Sequence, residues 1–572
     1  GMMAALQDAI ELVNSQATPS PTVDPQSPTP DARLVVSGPP AIDLACIPPD
    51  DPAVYDLLQR ADTIGVFQVE SRAQMATLPR LKPTCFYDLV VEVAIVRPGP
   101  IVGQMVHPYL NRRAGREPVV PLHPCLEPIL ARTLGVPLFQ EQLLRMAMVA
   151  AGFTGGQAEE LRRAMGCKRS EQRMAKIEEQ LRDGMARNGI IGETAERIIT
   201  SITSFALYGF PESHAASFAL LAYASAYLKV HYPAAFYTAL LNNQPMGFYH
   251  PATLVKDAQR RGVRFYPIDV QESDWLCRVE EDGGIRLGFR YVNGLRKEMG
   301  QAMAAFDRTK TLVPPVLCGK CGSDDESMIE VVRNTRAARA YFCNTCAHEW
   351  TVQLRPVGRF ASIDAVVRRT GLRRDELTTL ADIGALNAFT DERRSGLWQV
   401  ERAVRPAGEL YEQQKSGSLE QGSEAVTSPP SPLAPMLASE RLRADYGGTG
   451  VTIGPHPMAL RRKDLALRGV LRASDLSLAR NGRRVRVAGM VITRQRPGTA
   501  KGFVFLTLED ETGILNVIVR PDVFARDRTV VVRQPFLIVE GVFQNQEGVL
   551  SVRAERFQEI EGAAAVDAHD FY

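Results

Sequence analysis

The chain has 572 residues, too many for one hydrophobic core, and at roughly 100–200 residues per domain it divides into three to five units. Its 45% hydrophobic and 23% charged residues are those of an ordinary globular protein, and no run of about 18 apolar residues offers a membrane span. A formal net charge of +2 excludes a globally basic protein, so any affinity for a polyanion has to be local.

The first residues, GMMAALQDAIELV, lack a basic leader region and read as an amphipathic helix over 1–14. A stretch rich in Pro, Ser and Thr follows at 15–45, which holds neither a helix nor a central strand and reads as an insertion. Order returns near Ile47, where Asp50 or Asp51 caps a helix from Pro52 to about Arg60. The next piece, IGVFQV, reads as a short strand or buried segment. FYDLVVEVAIVRPGP from Phe86 is a helix or buried strand stopped by Pro98 and Pro100, leaving Arg97 at its edge.

Gly135 to Gly152 is apolar at helical spacing and ends at a glycine, and Phe153 to Gly156 form a loop before LRRAMGCKRS, Leu161 to Ser170. From Leu161 to Lys176 six basic residues, among them Arg162, Arg163, Lys168 and Arg169, stand against the single acid Glu171. That is local phosphate-binding chemistry, and a polyanion is its natural partner. A further helix with a capping pair at Thr194 and Arg197 leads to FPESHAAS, Phe210 to Ser217, read as a polar elbow, and then to a long helix from Ala219 to Asn243 broken at Pro233.

From Ala258 the pattern changes to short β-like pieces, VRFYPIDV and GGIRLGFRYV, then to VNGLRKEMGQAMAAF, in which Gly294 precedes a cationic helix whose first N–H groups can hold a phosphate. A second such hairpin is LTTLADIGALNAF, Leu377 to Phe389. A linker rich in Ser, Gly, Gln and Pro spans 408–436. Beyond it RVRVAGMVI, GFVFLTLED, GILNVIVR, PFLIVEGVFQ and VLSVRAERF alternate strongly. Five such strands suit a small Greek-key barrel of the OB kind over 437–572. Arg494, Arg496, Lys501, Phe503 and Phe505 interleave cations with aromatics as single-strand DNA binders require. Two readings stay open for the phenylalanines: they lie on a binding face, or they fill the barrel.

Between the two hairpins, at 309–356, Cys318-Gly-Lys-Cys321 and Cys343-Asn-Thr-Cys346 form two CxxC knuckles 21 residues apart. Four thiolates close a tetrahedral site with no open position, the ligand set of a structural Zn²⁺. Nine cysteines are too few for a disulfide framework in so long a chain. With four at metal spacing and Cys46, Cys85, Cys125, Cys167 and Cys277 as plain thiols, the pattern predicts a reducing, cytoplasmic compartment. The knuckles resemble the zinc ribbon of transcription elongation factor S-II through Asn334–Arg336 shortly before YFCNTCAHEW. Arg333 to Phe342 lacks that family's acidic pair, so no catalytic role carries over.

GVFQVESRAQM (Gly65 to Met75), LKPTCFYDLVVEVAIVRPGP (Leu81 to Pro100), PLFQEQLLRMA (Pro137 to Ala147), LRRAMGCKRS and the run from Tyr208 to Tyr249 occur in one order. Together they resemble the bacterial C-family DNA polymerases, closer to the error-prone type than to the replicative α subunit, mainly through FPESHAASFA and NNQPMGFY. The resemblance implies a multi-domain protein with a mainly α fingers domain over 46–270. A helix-hairpin-helix region at 271–308 and 357–407 would follow, with the Cys₄ ribbon inserted, and then the all-β OB fold. It also implies that Arg97, Arg162, Arg163, Lys168 and Arg169 contact the incoming nucleotide and DNA, with Ser213 and His214 beside them. In this family the Mg²⁺-binding carboxylates belong to the palm, and residues 1–14 are similar to the segment just after it. The expectation is therefore a C-terminal portion of an error-prone polymerase, catalytically silent alone. Its expected partners are primer-template DNA, dNTP, a palm and PHP portion that brings the Mg²⁺ site, and translesion accessory or clamp proteins, with no membrane. A non-catalytic DNA-binding module or scaffold is the alternative.

Overall fold

A computed structural model of the chain describes residues 1–17, 42–96, 106–164, 171–204, 210–307, 310–312, 317–323, 328–334, 338–353, 355–404, 431–560 and 569–571. The N-terminal half is helical: α1 Met2–Ala17, α2 Pro52–Gln59, α3 Arg72–Leu81, α4 Phe86–Ile95, α5 Val106–Arg113, α6 Gln140–Ala151, α7 Gly155–Ala164, α8 Glu171–Arg187, α9 Glu193–Ser204, α10 Glu212–His231, α11 Pro233–Asn242 and α12 Pro251–Arg260. The local rules explain several of these boundaries. Asp51 caps α2 by accepting from the Ala53 and Val54 amides, with Pro52 in the first turn. Gly152 ends α6 in the left-handed conformation at φ 69°. Pro233 separates α10 from α11, as expected where a ring replaces an amide hydrogen.

Of the two readings of IGVFQV the structure takes the buried segment: Ile64, Gly65 and Val66 are buried in a series of turns, with Gly65 N–H satisfied by the Glu70 carboxylate and Val66 N–H by Thr63 O, both at 3.0 Å. The FPESHAAS stretch is no elbow. Helix α10 begins at Glu212, so Ser213 and His214 occupy its first turn.

Helices α2 to α10 surround one core, centred on α4. Every residue of α4 from Asp88 to Ile95 is buried, and it packs along α10. A polar residue in so buried a helix needs partners, and Asp88 has them: it accepts from Thr84 and Cys85 N–H and takes a bidentate Arg113 at 2.6 Å. A second core starts at α1, α11 and α12. It continues through a small sheet of β1 Phe265–Tyr266, β2 Arg278–Val279 and β3 Ile285–Arg286, in order β1-β3-β2, and into α13 Lys297–Ala304. Where α10, α11 and α12 meet, the buried Lys229 ammonium bonds Ile64 O at 2.7 Å and Asp257 at 2.9 Å.

The ribbon follows. Strands β4 Lys310–Leu312 and β8 Arg355–Val357 pair at its base, and β5 Ile329–Asn334, β6 Ala338–Cys343 and β7 His348–Gln353 form an antiparallel sheet. The chain returns to helix at α14 Ile363–Thr370, α15 Arg374–Asp382, α16 Arg393–Val404 and α17 Ala438–Thr449, all joined to the second core. A turn at Gly384, φ 83°, follows α15 in the second predicted hairpin; the left-handed backbone there suits glycine. Arg296, just before α13, donates to Glu376 of α15 at 2.9 and 2.8 Å, tying the two hairpins together.

The C-terminal strands close a barrel. Strands β10 Arg484–Gln495, β11 Val504–Glu509, β12 Ile514–Val519, β13 Phe536–Gln546 and β14 Val549–Glu559 pair in the cyclic order β10-β11-β12-β14-β13, with β12 and β14 parallel. Short β9 Val470–Leu471 and β15 His569–Phe571 add to β10, and α18 Pro521–Arg533 lies between β12 and β13. Val485, Val487, Leu506, Val517, Val539 and Val552 fill the barrel, whereas Ala488, Met490 and Ile538 of its outer side join the second core.

Candidate nucleic-acid and nucleotide interface

Helix α7 places the first two cations of LRRAMGCKRS. Arg162 and Arg163 are exposed on its last turn, and both bind Glu159: Arg162 through two bonds of 2.7 Å, Arg163 at 3.2 Å. The Arg162 hydrogen bond holds the Glu159 carboxyl down at about 2. The two guanidiniums therefore share one anion, an arrangement a triphosphate can replace because exposed pairs of this kind are weak. Arg97, Lys168 and Arg169 lie outside the described residues.

The starts of α4, α6 and α10 converge. Phe210 O accepts from Gln140 N–H at 3.0 Å, the Glu141 carboxylate accepts from Glu212 N–H at 3.0 Å, and Tyr87 Oη donates to Glu212 at 3.0 Å. Arg132 lies over the Tyr87 ring, 4.0 Å from its centre. Burial, then the Glu212 charge, raises the Tyr87 hydroxyl above its ordinary range. On the exposed first turn of α10, His214 stands between Phe210 and Phe218, with ring centres 5.1 and 4.2 Å away, and Phe218 meets Phe67 edge-on at 5.4 Å. Ser213 is exposed, its carbonyl taking the Ser217 hydroxyl at 3.0 Å. Sequence reasoning found His214 and missed its ring neighbours. The signal was there: His214 and Phe218 are four apart on one face of α10, and Phe210 stands four before His214, just ahead of the helix.

On the barrel the five candidates separate. Arg496 and Lys501 are exposed in the loop after β10, with Arg496 over the Phe524 ring at 5.2 Å, and Phe503 is half-buried beside them. Arg494 is turned inward, its Nε and Nη2 donating to Val531 O at 2.9 Å and Gln534 O at 2.7 Å. The carbonyls at the end of α18 need donors, and this guanidinium supplies them, so Arg494 is a structural cation and not a surface contact. Phe505 neither fills the barrel nor stands free. Arg72 of α3 sits 4.7 Å from its ring centre and donates to Leu506 O and Val517 O at 3.1 and 3.3 Å. Burial lowers the Arg72 guanidinium to about 10. This pair is part of the seam between helices and barrel, to which Arg260 adds two bonds of 2.9 Å to the buried Glu509.

In the ribbon, the four cysteine sulfurs lie within 4.8 Å of one another, with Cys318 Sγ 3.5 Å from Cys346 and Cys321 Sγ 3.7 Å from Cys343. A tetrahedral ion with Zn–S of about 2.3 Å needs sulfurs about 3.8 Å apart, so these residues fit zinc. Among the described residues this is the one group of three or more ligand side chains placed to share an ion. Asp51 is the helix cap already described, paired with His231 at 2.9 Å. No described helix is long and apolar enough to cross a membrane.

Three domain families match in the order the fold presents them. Residues 28–189 match the bacterial DNA polymerase III alpha subunit finger domain, 262–311 the helix-hairpin-helix motif, and 485–560 the OB-fold nucleic acid binding domain. The fold and these matches define a protein built from polymerase fingers and nucleic-acid-binding modules. An error-prone DNA polymerase of Anaeromyxobacter sp. (strain K) is 42% identical over 588 aligned residues, covering 100% of this chain and 46% of that protein. Those of Alkalilimnicola ehrlichii and Rhodopirellula baltica are 44% and 41% identical over 92% of this chain, covering 46% and 42% of theirs. The chain is thus similar along all or nearly all of its length to bacterial error-prone DNA polymerases, and it spans about half the length of the curated relatives it matches.

Proposed function

We propose that this chain supplies the fingers, helix-hairpin-helix and OB-fold portions of an error-prone DNA polymerase, holding primer-template DNA and the incoming dNTP for template-directed nucleotidyl transfer. The observation that carries this reading is 42% identity across the whole chain to a protein named as such. The site chemistry agrees with it. Arg162 and Arg163 exchange Glu159 for triphosphate oxygens, guanidinium forks being suited to phosphate, and Arg97, Lys168 and Arg169 add to that field. Ser213 and His214, on the exposed start of α10, orient the nucleotide, the imidazole braced by its two phenylalanines. Arg496, Lys501 and Phe503 receive single-stranded template at the barrel loop.

This chain would hold the DNA and the triphosphate, and Mg²⁺, bound by palm carboxylates outside this chain, would supply the charge stabilisation of the transfer. The Cys₄ site, a closed ligand set, holds structural zinc. The test is primer extension with Mg²⁺, by the chain alone and mixed with a palm-bearing portion of a relative. Extension only in the mixture, lost when Arg162 and Arg163 are both changed to Ala, supports the reading; extension by the isolated chain overturns the division of labour. DNA binding with no extension in either case would point instead to a non-catalytic scaffold.

A further inference from the structure

The barrel carries a second basic face, away from the loop of Arg496 and Lys501. On its outer side β10, β13 and β14 run side by side, and their register sets Arg486 opposite Glu540 and Glu540 opposite Arg556. In the adjacent row Arg484 stands opposite Val542, and Val542 opposite Arg553. Strand alternation turns Arg484, Arg486 and Arg553 outward beside the barrel-filling Val485, Val487, Val552 and Ala554, the register shift at Glu540 and Gly541 brings Arg556 to the same side, and all four are exposed. Further along β10 the same outer side reads Ala488, Met490, Ile492, and there the second core covers it. The cations begin where that cover ends.

Arg468, from the turn before β9, and Arg483 join Arg484 and Arg486 around an open cleft of about 380 Å³. Two glutamates temper the field: Glu555 meets Arg484 at 2.6 Å and Glu540 meets Arg486 at 2.7 Å. Those arginine side chains are 81% and 53% exposed, so the pairs are screened by solvent and give way to a stronger anion. Six arginines thus share this face with two acids.

We propose that this outer face holds the phosphate backbone of duplex DNA, as a site separate from the loop that receives single strand. Among the described residues, those lining the cleft include no aromatic ring on which a base could stack, and single-strand sites rely on such rings. A row of guanidiniums without rings reads backbone charge alone, which is sequence-independent and suits a duplex whose bases are already paired. The choice of DNA as the polyanion rests on the polymerase reading above; the cationic face itself does not.

The test is fluorescence anisotropy of the full chain with a labelled short duplex, and separately with labelled oligo(dT), across a salt series. Changing Arg468, Arg483, Arg484 and Arg486 together to Ala is expected to flatten the plot of log affinity against log salt for duplex by up to about 3.6, at roughly 0.9 for each of the four phosphates no longer neutralised. Oligo(dT) binding stays as in the unaltered chain. The same four positions changed to Lys keep the slope, which separates charge from any loss of packing. An unchanged duplex slope in the Ala variant, with oligo(dT) still bound, overturns this inference alone. A chain that binds neither DNA removes the polymerase reading with it, and a face that prefers labelled polyglutamate to duplex would be a protein-docking surface instead.

Discussion

At the scale of single residues, burial decides more than identity. Glu70 is buried, and burial raises its carboxyl to about 7 against the Gly65 and Phe248 amides that favour the charge. A carboxyl whose folded pKa lies above its unfolded value of 4.5 contributes stability that is complete below about 4.5 and is lost as the pH rises through about 7. Between pH 5 and pH 8 the chain is therefore expected to lose up to about 3 kcal/mol through this group, a loss that Glu70→Gln abolishes. Thermal midpoints of both proteins at the two pH values check it; parallel pH profiles would be the contrary result. Arg494 makes the same point without titration. Its place in a run of cations and rings suggested a DNA contact, and two carbonyls at the end of α18 turned it inward.

At the scale of elements, the ribbon is the part least able to stand by its own packing. Its sheet holds six-residue strands with Val331 and Val332 exposed, and Tyr341 stacks on Trp350 at 5.6 Å in place of a broad core. The free energy of ion binding is then the free energy of folding the element. Elemental analysis should find one zinc per chain, and chelation or Cys318→Ser should expose 310–357 to protease while leaving the barrel protected. Protection unchanged by chelation would mean the ribbon folds without its ion. The barrel stands apart in this respect, since its interior valines and leucines form a core of their own.

At the scale of the whole molecule, two of the contacts that join barrel to helices should differ sharply in worth. Glu547, exposed, meets Arg80 at 3.2 Å and Arg116 at 2.5 Å, and an exposed pair is worth about 0–1 kcal/mol. Glu509 is fully buried beneath Arg260 at 2.9 Å, and removing one partner of a buried pair costs about 3–5 kcal/mol because the other charge is stranded. Glu547→Ala should leave the thermal midpoint nearly unchanged, whereas Arg260→Leu should lower it by several degrees or split the transition as the barrel comes loose. Equal effects from the two would show that the seam is held by contacts other than these. A helical unit and a barrel locked in this way keep the exposed end of α7, with Arg162 and Arg163, and the barrel loop of Arg496 and Lys501 at a fixed separation, as the proposed function requires.

The chain's own order of residues determined most of the elements. Asp51 before Pro52 set a capped helix, Pro233 broke one, five alternating stretches set five strands, and two CxxC pairs set a four-cysteine cluster that fits a metal ion. These follow from backbone chemistry and spacing, which act over a few residues. What the tertiary structure alone decided was which side of each element meets what. His214 gained its ring partners, Phe505 came to be held by Arg72, and the arginines of β10 were left uncovered where its apolar half was not. Alternation tells two sides of a strand apart, but only the packing of distant segments fixes which side is covered, because burial is a property of the assembled chain and not of its neighbours in sequence.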